Sequence, residues 1–410
     1  MSDSNLSRAL AEVERVNADA GDDALTLGVL TPLTGPGDPV AGELIVRGAC
    51  LGVEYVREHG GVRGGKQFRL VVENDQATAA EEGMQRSAVA GLAKLAMVDE
   101  VLALLGQWHL RTAGVVVETA ERLGVPIFVE NGHSTITAER RRTLFRTYFT
   151  IADRIPLLVR FLAEQRLRRV AVLAPNTVFG LMMADTLEEH APAHGEFELL
   201  RFDFDQETTT TVRPQLEEVK DWQPDVVVNC GVVRTNYMIL NEAAEVGLRP
   251  DPPMVVTFPF PLRSDDYWRL AGEAGNLVVW PATHYRPSWS GLTEIGRWFT
   301  ERYADRHGSF PPDNSLNAFT DVTIVAQALE RASGEGREDL LAALERGAFD
   351  TWRGSVRFER GPEHWHHSPP ELVLMQYHEV GQSFDDAAIV YPPEARTHDY
   401  VAPERTAGAP

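Results

Sequence analysis

From residue 25 onward, short apolar runs alternate with longer stretches of helical periodicity, and this alternation constrains the fold more than any other feature. "LTLGVL" reads as a buried strand, and "GELIVRGACLGVEYVREHGG" as a helix ended by Gly60-Gly61. Next come strand "QFRLVVEND", helix "AAEEGMQRSAVAGLAKL", strand "VLALLG", helix "RTAGVVVETAERLG" and strand "VPIFVEN". Strands this short and apolar, separated by helices, predict parallel crossover units with helices on both faces of a sheet.

The pattern restarts after Phe145-Arg146 with helix "RIPLLVRFLAEQRL", strand "RRVAVLAPN", helix "GLMMADTLEEHAPAHG" and strand "EFELLRFDF". Helix "TVRPQLEEVKDW", strand "PDVVVNCG", helix "NYMILNEAAEVGL" and strands "PMVVTF" and "GNLVVWP" complete it. The halves match in architecture rather than in sequence. A third section carries helices "SGLTEIGRWFTERYADRHG", "LNAFTDVTIVAQALERASG" and "EDLLAALERG". After it, "SVRFER" and "ELVLMQYHEV" alternate and read as a strand pair. The chain has 410 residues, enough for two lobes of ordinary domain size.

Charge excludes several function classes. The formal net charge is −21, and nucleic-acid binding needs a basic face, so direct nucleic-acid contact is not expected. Nor is a basic membrane-surface role. No apolar run is long enough to insert in a membrane. The two cysteines, Cys50 and Cys230, read as buried apolar residues. Residues 1–24 form an extension with an amphipathic helix on Leu6, Leu10, Val13 and Val16. They lack the basic start and apolar core of a secretory signal, so a chain that naturally starts at Met1 is expected in the cytoplasm, and otherwise exported. The tail, 391–410, is rich in Pro, Ala and charge and is expected to be flexible.

The first loop, "TPLTGPGDPVAGE", raises the question of a phosphate cradle. Gly35, Gly37 and Gly42 put the third glycine out of place for dinucleotide binding, and Pro36 and Pro39 remove backbone donors. No Gly-Lys-Ser/Thr follows, so no nucleotide cofactor is expected, nor any other cofactor. In open α/β sheets ligands bind beyond the carboxyl ends of the strands. Such ends lead into Asn74-Asp75, "GQWHLRTAG" and "ENGHSTIT", where Trp108, His109, Arg111, Thr112, Asn131, His133 and Ser134 are expected to converge. "EHWHHSPP" invites a metal reading through His364, His366 and His367. Neighbouring side chains on an extended turn point to opposite sides, so joint coordination is awkward and no metal is expected.

"LGVLTPLTGP", "GACLGVEYVREHGGVRG", "FRLVVENDQATAAE", "LLGQWHLRTAGVVVETAERLGVPIF" and "VAVLAPNTVFG", in this order, resemble the type I periplasmic binding proteins of the branched-chain amino-acid and amide (Leu/Ile/Val-binding-like) group. "VVVNCG", "NEAAEVGL" and "NAFTDVTIVAQALERA" continue the resemblance, which spans about residues 25 to 390. It implies an α/β fold of two Rossmann-like lobes with parallel sheets, joined by three hinge crossings, with a small ligand in the cleft between them. The crossings fall near Arg146–Thr150, Pro281–Tyr285 and Asp350–Gly354. Lobe 1 is then 25–147 plus 284–352, and lobe 2 is 148–281 plus 355–390. "GSVRFERGPEHWHHSPPELVLMQY" is similar to the subgroup that binds small amides and urea, which includes a cytosolic amide sensor.

The resemblance also marks departures. Where amino-acid binders carry the Ser of a G-x-x-x-S loop, this chain has Leu110, beside His109. The aromatic before glycine in the second-lobe loop is Phe179, without a hydroxyl, and the aromatic near the end of the first loop is replaced by Ala41. The expected pocket is more apolar than that of an amino-acid binder, with Trp108 and Phe258 as walls. Its candidate polar groups are His109, Arg111, Asn131, His133 and Arg234, with Gly132, Gly231 and Asn236 on the same loops and Tyr285 near a crossing. The implied function is capture of an amino acid, an amide or a related small solute, with closure by hinge motion. The implied partners are that small-molecule ligand and an ABC permease or a regulatory protein. The alternative is an enzyme on the same fold, with His109 and His133 as acid and base.

Overall fold

The computed structural model describes residues 2–35, 38–76, 81–258, 266–361 and 365–404. Its chain divides into two units. The first is Met1–Thr150 with Ser290–Pro370, and the second is Ile151–Trp289 with Glu371–Pro410.

Unit 1 begins with α1 (Ser2–Asn17), β1 (Leu25–Thr31), α2 (Pro39–Glu58), β2 (Phe68–Asn74) and α3 (Glu81–Met97). β3 (Leu104–Gln107), α4 (Leu110–Leu123), β4 (Ile127–Val129) and β5 (Leu144–Phe145) follow. The strands form a sheet of order β2-β1-β3-β4-β5, parallel throughout. α2 starts where Pro39 supplies a preset φ and the Asp38 carboxylate accepts from the Ala41 N–H at 3.2 Å. α4 stops at Gly124, whose φ of 63° suits a residue without a Cβ. Gly42 is required by close approach, because a Cβ there would lie 1.9 Å from the Pro32 carbonyl oxygen.

Unit 2 carries α5 (Ile151–Glu164), β6 (Arg169–Pro175), α6 (Val178–His190), β7 (Glu198–Phe204), α7 (Arg213–Trp222) and β8 (Val226–Asn229). Then come α8 (Arg234–Glu245), β9 (Met254–Val256), α9 (Tyr267–Ala271) and β10 (Val279–Thr283). Its first βα turn repeats the constraint of unit 1: a Cβ on Gly180 would lie 2.3 Å from the Pro175 carbonyl oxygen. Cys50 and Cys230 are both buried free thiols, and among the described residues no helix is long and apolar enough to cross a membrane.

The chain returns to unit 1 with α10 (Glu294–His307), α11 (Asp313–Arg331) and α12 (Arg337–Arg346), then β11 (Phe349–Thr351), β12 (Gly354–Val356), β13 (Glu359–Arg360) and β14 (Trp365–His367). β15 (Leu372–Gln376) and β16 (Ala388–Tyr391) belong to unit 2, whose sheet has the order β16-β15-β10-β9-β8-β6-β7. The two segments expected to pair with each other therefore part company. "GSV" pairs with β11, whereas "LVLMQ" runs antiparallel between β10 and β16. The physical reason is that both patterns alternate, and alternation specifies a half-buried strand without specifying its neighbour.

Three differences from the expected domain limits follow from packing. The second and third changeovers fall after Trp289 and after Pro370, not near 281–285 and 350–354. Residues 355–370 stay in unit 1 because β14 joins the end of β5. The Arg146 N–H donates to the His366 carbonyl at 3.0 Å, and the Ser368 N–H donates to the Arg146 carbonyl at 2.9 Å. The extension before residue 25 lies in unit 1, where Ala9, Val13 and Val16 join the core beside α2. At the other end, the described part of the tail is tied down. Gln376 and the Val401 backbone exchange two hydrogen bonds of 3.0 Å, and the Tyr400 ring meets Phe161 edge-on at 5.2 Å.

Candidate functional site

In unit 1 the carboxyl ends of β3 and β4 are cross-linked by their own side chains. Gln107, the last residue of β3, donates to the His109 carbonyl at 2.8 Å and to the Thr112 hydroxyl at 3.0 Å. Buried Asn131, just past β4, donates to the Gln107 side-chain oxygen and receives the His133 N–H at 3.1 Å. Asn131 is thus committed to shaping the turn around Gly132 and His133. Trp108, His109, Leu110 and Arg111 share the neighbouring turn and are all half-buried.

His109 occupies the N-cap position of α4, yet its side chain caps nothing, and its buried Nδ1 has no hydrogen-bond partner among the described residues. Burial, reinforced by the Arg111 charge, pushes its imidazole down to about 4, so it is neutral at pH 7. His133 is lowered as well, first by burial and then by the Arg146 charge; the Arg146 guanidinium donates to the His133 carbonyl at 2.9 Å. Arg111 makes no hydrogen bond or ion pair with any described residue. It stands in the first turn of a helix whose N-terminal N–H groups lack a side-chain cap. Behind this turn Trp108 meets Tyr148 edge-on at 6.2 Å, and the Tyr148 hydroxyl donates to Asp313 at 3.1 Å.

In unit 2 the corresponding strand ends are more aromatic. Phe179, in the first turn of α6, meets buried Phe258 edge-on at 5.7 Å, and the Arg154 guanidinium lies 5.5 Å from the Phe179 ring centroid. Arg154 is only 2% exposed and donates to the Thr257 carbonyl at 2.5 Å. The turn after β8 is self-contained. Asn229 donates to the Asn236 side chain at 3.0 Å, accepts from the Gly231 N–H at 2.9 Å, and Asn236 donates to the Gly231 carbonyl at 3.2 Å. Gly231 and Asn236 therefore build the turn. Arg234 points away to bond the Gln206 carbonyl at 2.5 Å, and Tyr285 is buried after β10.

Sequence reasoning overlooked Gln107, Tyr148 and Arg154. Arg154 had a readable signal, since it sits on the apolar stripe of Ile151, Ile155, Leu158 and Leu162, where a cation is out of place. Of the histidine cluster, His364 lies outside the described residues, as do Pro36 and Gly37 of the first loop. His366 stacks on Phe145 at 4.5 Å, while the His367 ring bonds the Tyr148 carbonyl at 3.0 Å, so the two serve different neighbours.

Over residues 24–379 the sequence matches the profile of the periplasmic binding protein family. The chain belongs to this family. Its fold agrees with solved members: LivJ from Streptococcus pneumoniae, a branched-chain amino acid transporter substrate binding protein in complex with isoleucine, superposes with a TM-score of 0.75 at 18% identity, covering 90% of this chain and 100% of that one. The leucine binding protein LivK from Thermotoga maritima gives 0.74 at 17% identity, covering 90% and 99%. A solute binding protein of an ABC transporter from R. palustris, in complex with benzoate, gives 0.74 at 19% identity, covering 93% and 98%. At these identities the likeness is one of fold.

Proposed function

We propose that this member of the periplasmic binding protein family captures a small organic acid for an ABC-type permease, responding by motion about the connections at 150/151, 289/290 and 370/371. The observation that carries the reading is Arg111, a half-buried guanidinium with no partner among the described residues, at an uncapped helix start on the carboxyl side of the sheet. A planar fork of donors suits a carboxylate, and helix N–H groups add to it. Trp108, half-buried on the same turn as Arg111, favours a ligand with an apolar or aromatic body. Relatives of this fold solved with isoleucine and with benzoate support a carboxylate-bearing solute. Neither His109 nor His133 has a carboxylate hydrogen-bonded to its ring among the described residues, which speaks against an acid–base pair of the oriented kind.

The test is thermal-shift and calorimetric titration with benzoate-type acids, branched-chain amino acids and neutral amides. An acid is expected to raise the melting temperature, since binding to the native state stabilises it by mass action. Arg111→Ala is expected to weaken that binding by roughly 10- to 100-fold, the range of a charge-assisted bond of about 1.5–3 kcal/mol. A flat response to every class, or undiminished affinity in Arg111→Ala, rejects the reading. Tighter binding of amides than of acids transfers it to an amide ligand. In cells, loss of the chain is expected to abolish high-affinity uptake of the bound solute, and unimpaired uptake points to sensing instead.

A further inference from the structure

The carboxyl ends of β1 and β2 hold three buried oxygens with no hydrogen-bond partner among the described residues: Thr31 Oγ1, Asp75 Oδ2 and Gln76 Oε1. Asp75 is 0% exposed and Gln76 2%. The Gln76 amide nitrogen donates to Asp75 Oδ1 at 2.9 Å, which sets a carboxyl group against a carboxamide. If the carboxyl is ionised, Oδ2 and Oε1 are both acceptors and both stay unsatisfied in the interior, a costly arrangement. One proton on Oδ2 turns it into a donor for Oε1 and closes a second bond antiparallel to the first. We infer that Asp75 is held as a carboxylic acid in a two-bond ring with the Gln76 carboxamide, and that this ring latches the loop between β1 and α2.

The latch reaches the loop through short contacts. The Leu33 N–H donates to Asn74 Oδ1 at 2.9 Å, the Asn74 amide donates to Thr34 Oγ1 at 2.7 Å and to the Gln76 carbonyl at 2.9 Å, and the Thr34 hydroxyl donates to the same carbonyl at 3.1 Å. The Asp75 N–H itself donates to the Thr31 carbonyl at 3.2 Å. The side chains adjoining Asp75 on both strand ends, Thr31, Thr34, Asn74 and Gln76, are neutral. Glu73, on β2, is engaged by Lys94 of α3 at 2.7 Å. Burial pushes the Asp75 carboxyl up to about 7, against the pull of the Gln76 bond, so ionisation falls within the physiological range.

A carboxyl raised on folding stabilises most below its unfolded value of about 3.9, and the contribution is lost as pH climbs through the folded value. The contribution of Asp75 to the folding constant, read as the difference between the wild type and Asp75→Asn, is therefore expected to fall about tenfold per pH unit between roughly pH 5 and pH 7. Asp75→Asn imitates the protonated acid, since an amide can make the same ring, and it should flatten that slope. In the wild-type protein, infrared spectroscopy at neutral pH should show a protonated-carboxyl carbonyl band that Asp75→Asn removes. Amide exchange at Leu33 and Gln76 should quicken with alkaline pH beyond its intrinsic rise in the wild type alone. No acid band removable by Asp75→Asn, as when a buried water bridges an ionised carboxylate, overturns the inference. So does a variant with wild-type pH dependence of stability or exchange.

Discussion

Deletion of residues 2–17 should lower the stability of unit 1 by of the order of 3–5 kcal/mol, read as a shift of the urea midpoint. The apolar part comes from Ala9, Val13 and Val16, which are 0%, 8% and 0% exposed; a buried valine contributes about 1.5–2 kcal/mol. The electrostatic part comes from carboxylates that α2 buries and α1 helps to neutralise. Glu43 is 3% exposed, receives the Asn5 amide at 2.8 Å and is held by Arg8 at 2.6 Å. Burial opposes ionisation of Glu54, but hydrogen bonds from Arg306 and Arg15 outweigh it and hold the carboxyl below its usual range. That stabilisation is present at neutral pH and lost as pH falls through the lowered value, so the intact chain should lose more stability in acid than the truncated one. Arg8 and Arg15 are half exposed, so each ion pair is limited to about 1 kcal/mol. Arg47 and Arg306 would remain to serve the two carboxylates after deletion. An unchanged midpoint would mean that α1 merely rests on the surface.

The second large effect is steric. Gly48 of α2 faces α11 so closely that a Cβ would lie 2.0 Å from the Ser315 carbonyl oxygen, and one on Gly52 would lie 2.6 Å from Val322 Cβ. The obstacle at Gly48 is backbone, locked further by the Ser315 hydroxyl bonding the Leu44 carbonyl at 2.7 Å, so it cannot yield by rotation. Gly48→Ala is expected to destabilise by about 3 kcal/mol from overpacking. Helix propensity opposes this with a gain of only about 1 kcal/mol, and loses. Gly114→Ala is the control. It lies exposed on α4 with open space at its Cβ, so the propensity term acts alone and the protein should gain about 0.5–1 kcal/mol. Equal shifts in both variants would show that close approach of the helices does not matter.

Much of the fold was legible because it is written in local periods. The apolar runs of β1, β3 and β8, buried along nearly their whole length, and the helices closed by Gly124 follow from patterns contained within a few turns of chain. The turn of Trp108 to Arg111 was legible for the same reason, since it had to follow the apolar run ending at Gln107. Arg154 was legible only in part: its place on an apolar stripe is unusual for a cation, but its partner, the Thr257 carbonyl that accepts its hydrogen bond, is distant in sequence and is set by the fold. Asn131 and Asn236 were legible as polar residues on ligand-side loops, but their hydrogen bonds to Gln107 and Asn229 are properties of the folded turns.

By itself the sequence determined the alternation of strands and helices, the parallel sheets it implies, the family and the strand ends from which candidate binding groups project. Tertiary structure alone decided that β15 enters the second sheet, that β14 fastens onto β5, that α1 docks on α2 and that the chain is tied down as far as Val401. Periodicity specifies which face of an element is apolar. Which other apolar face covers it is settled only by competition among distant segments, and that energy appears when they meet.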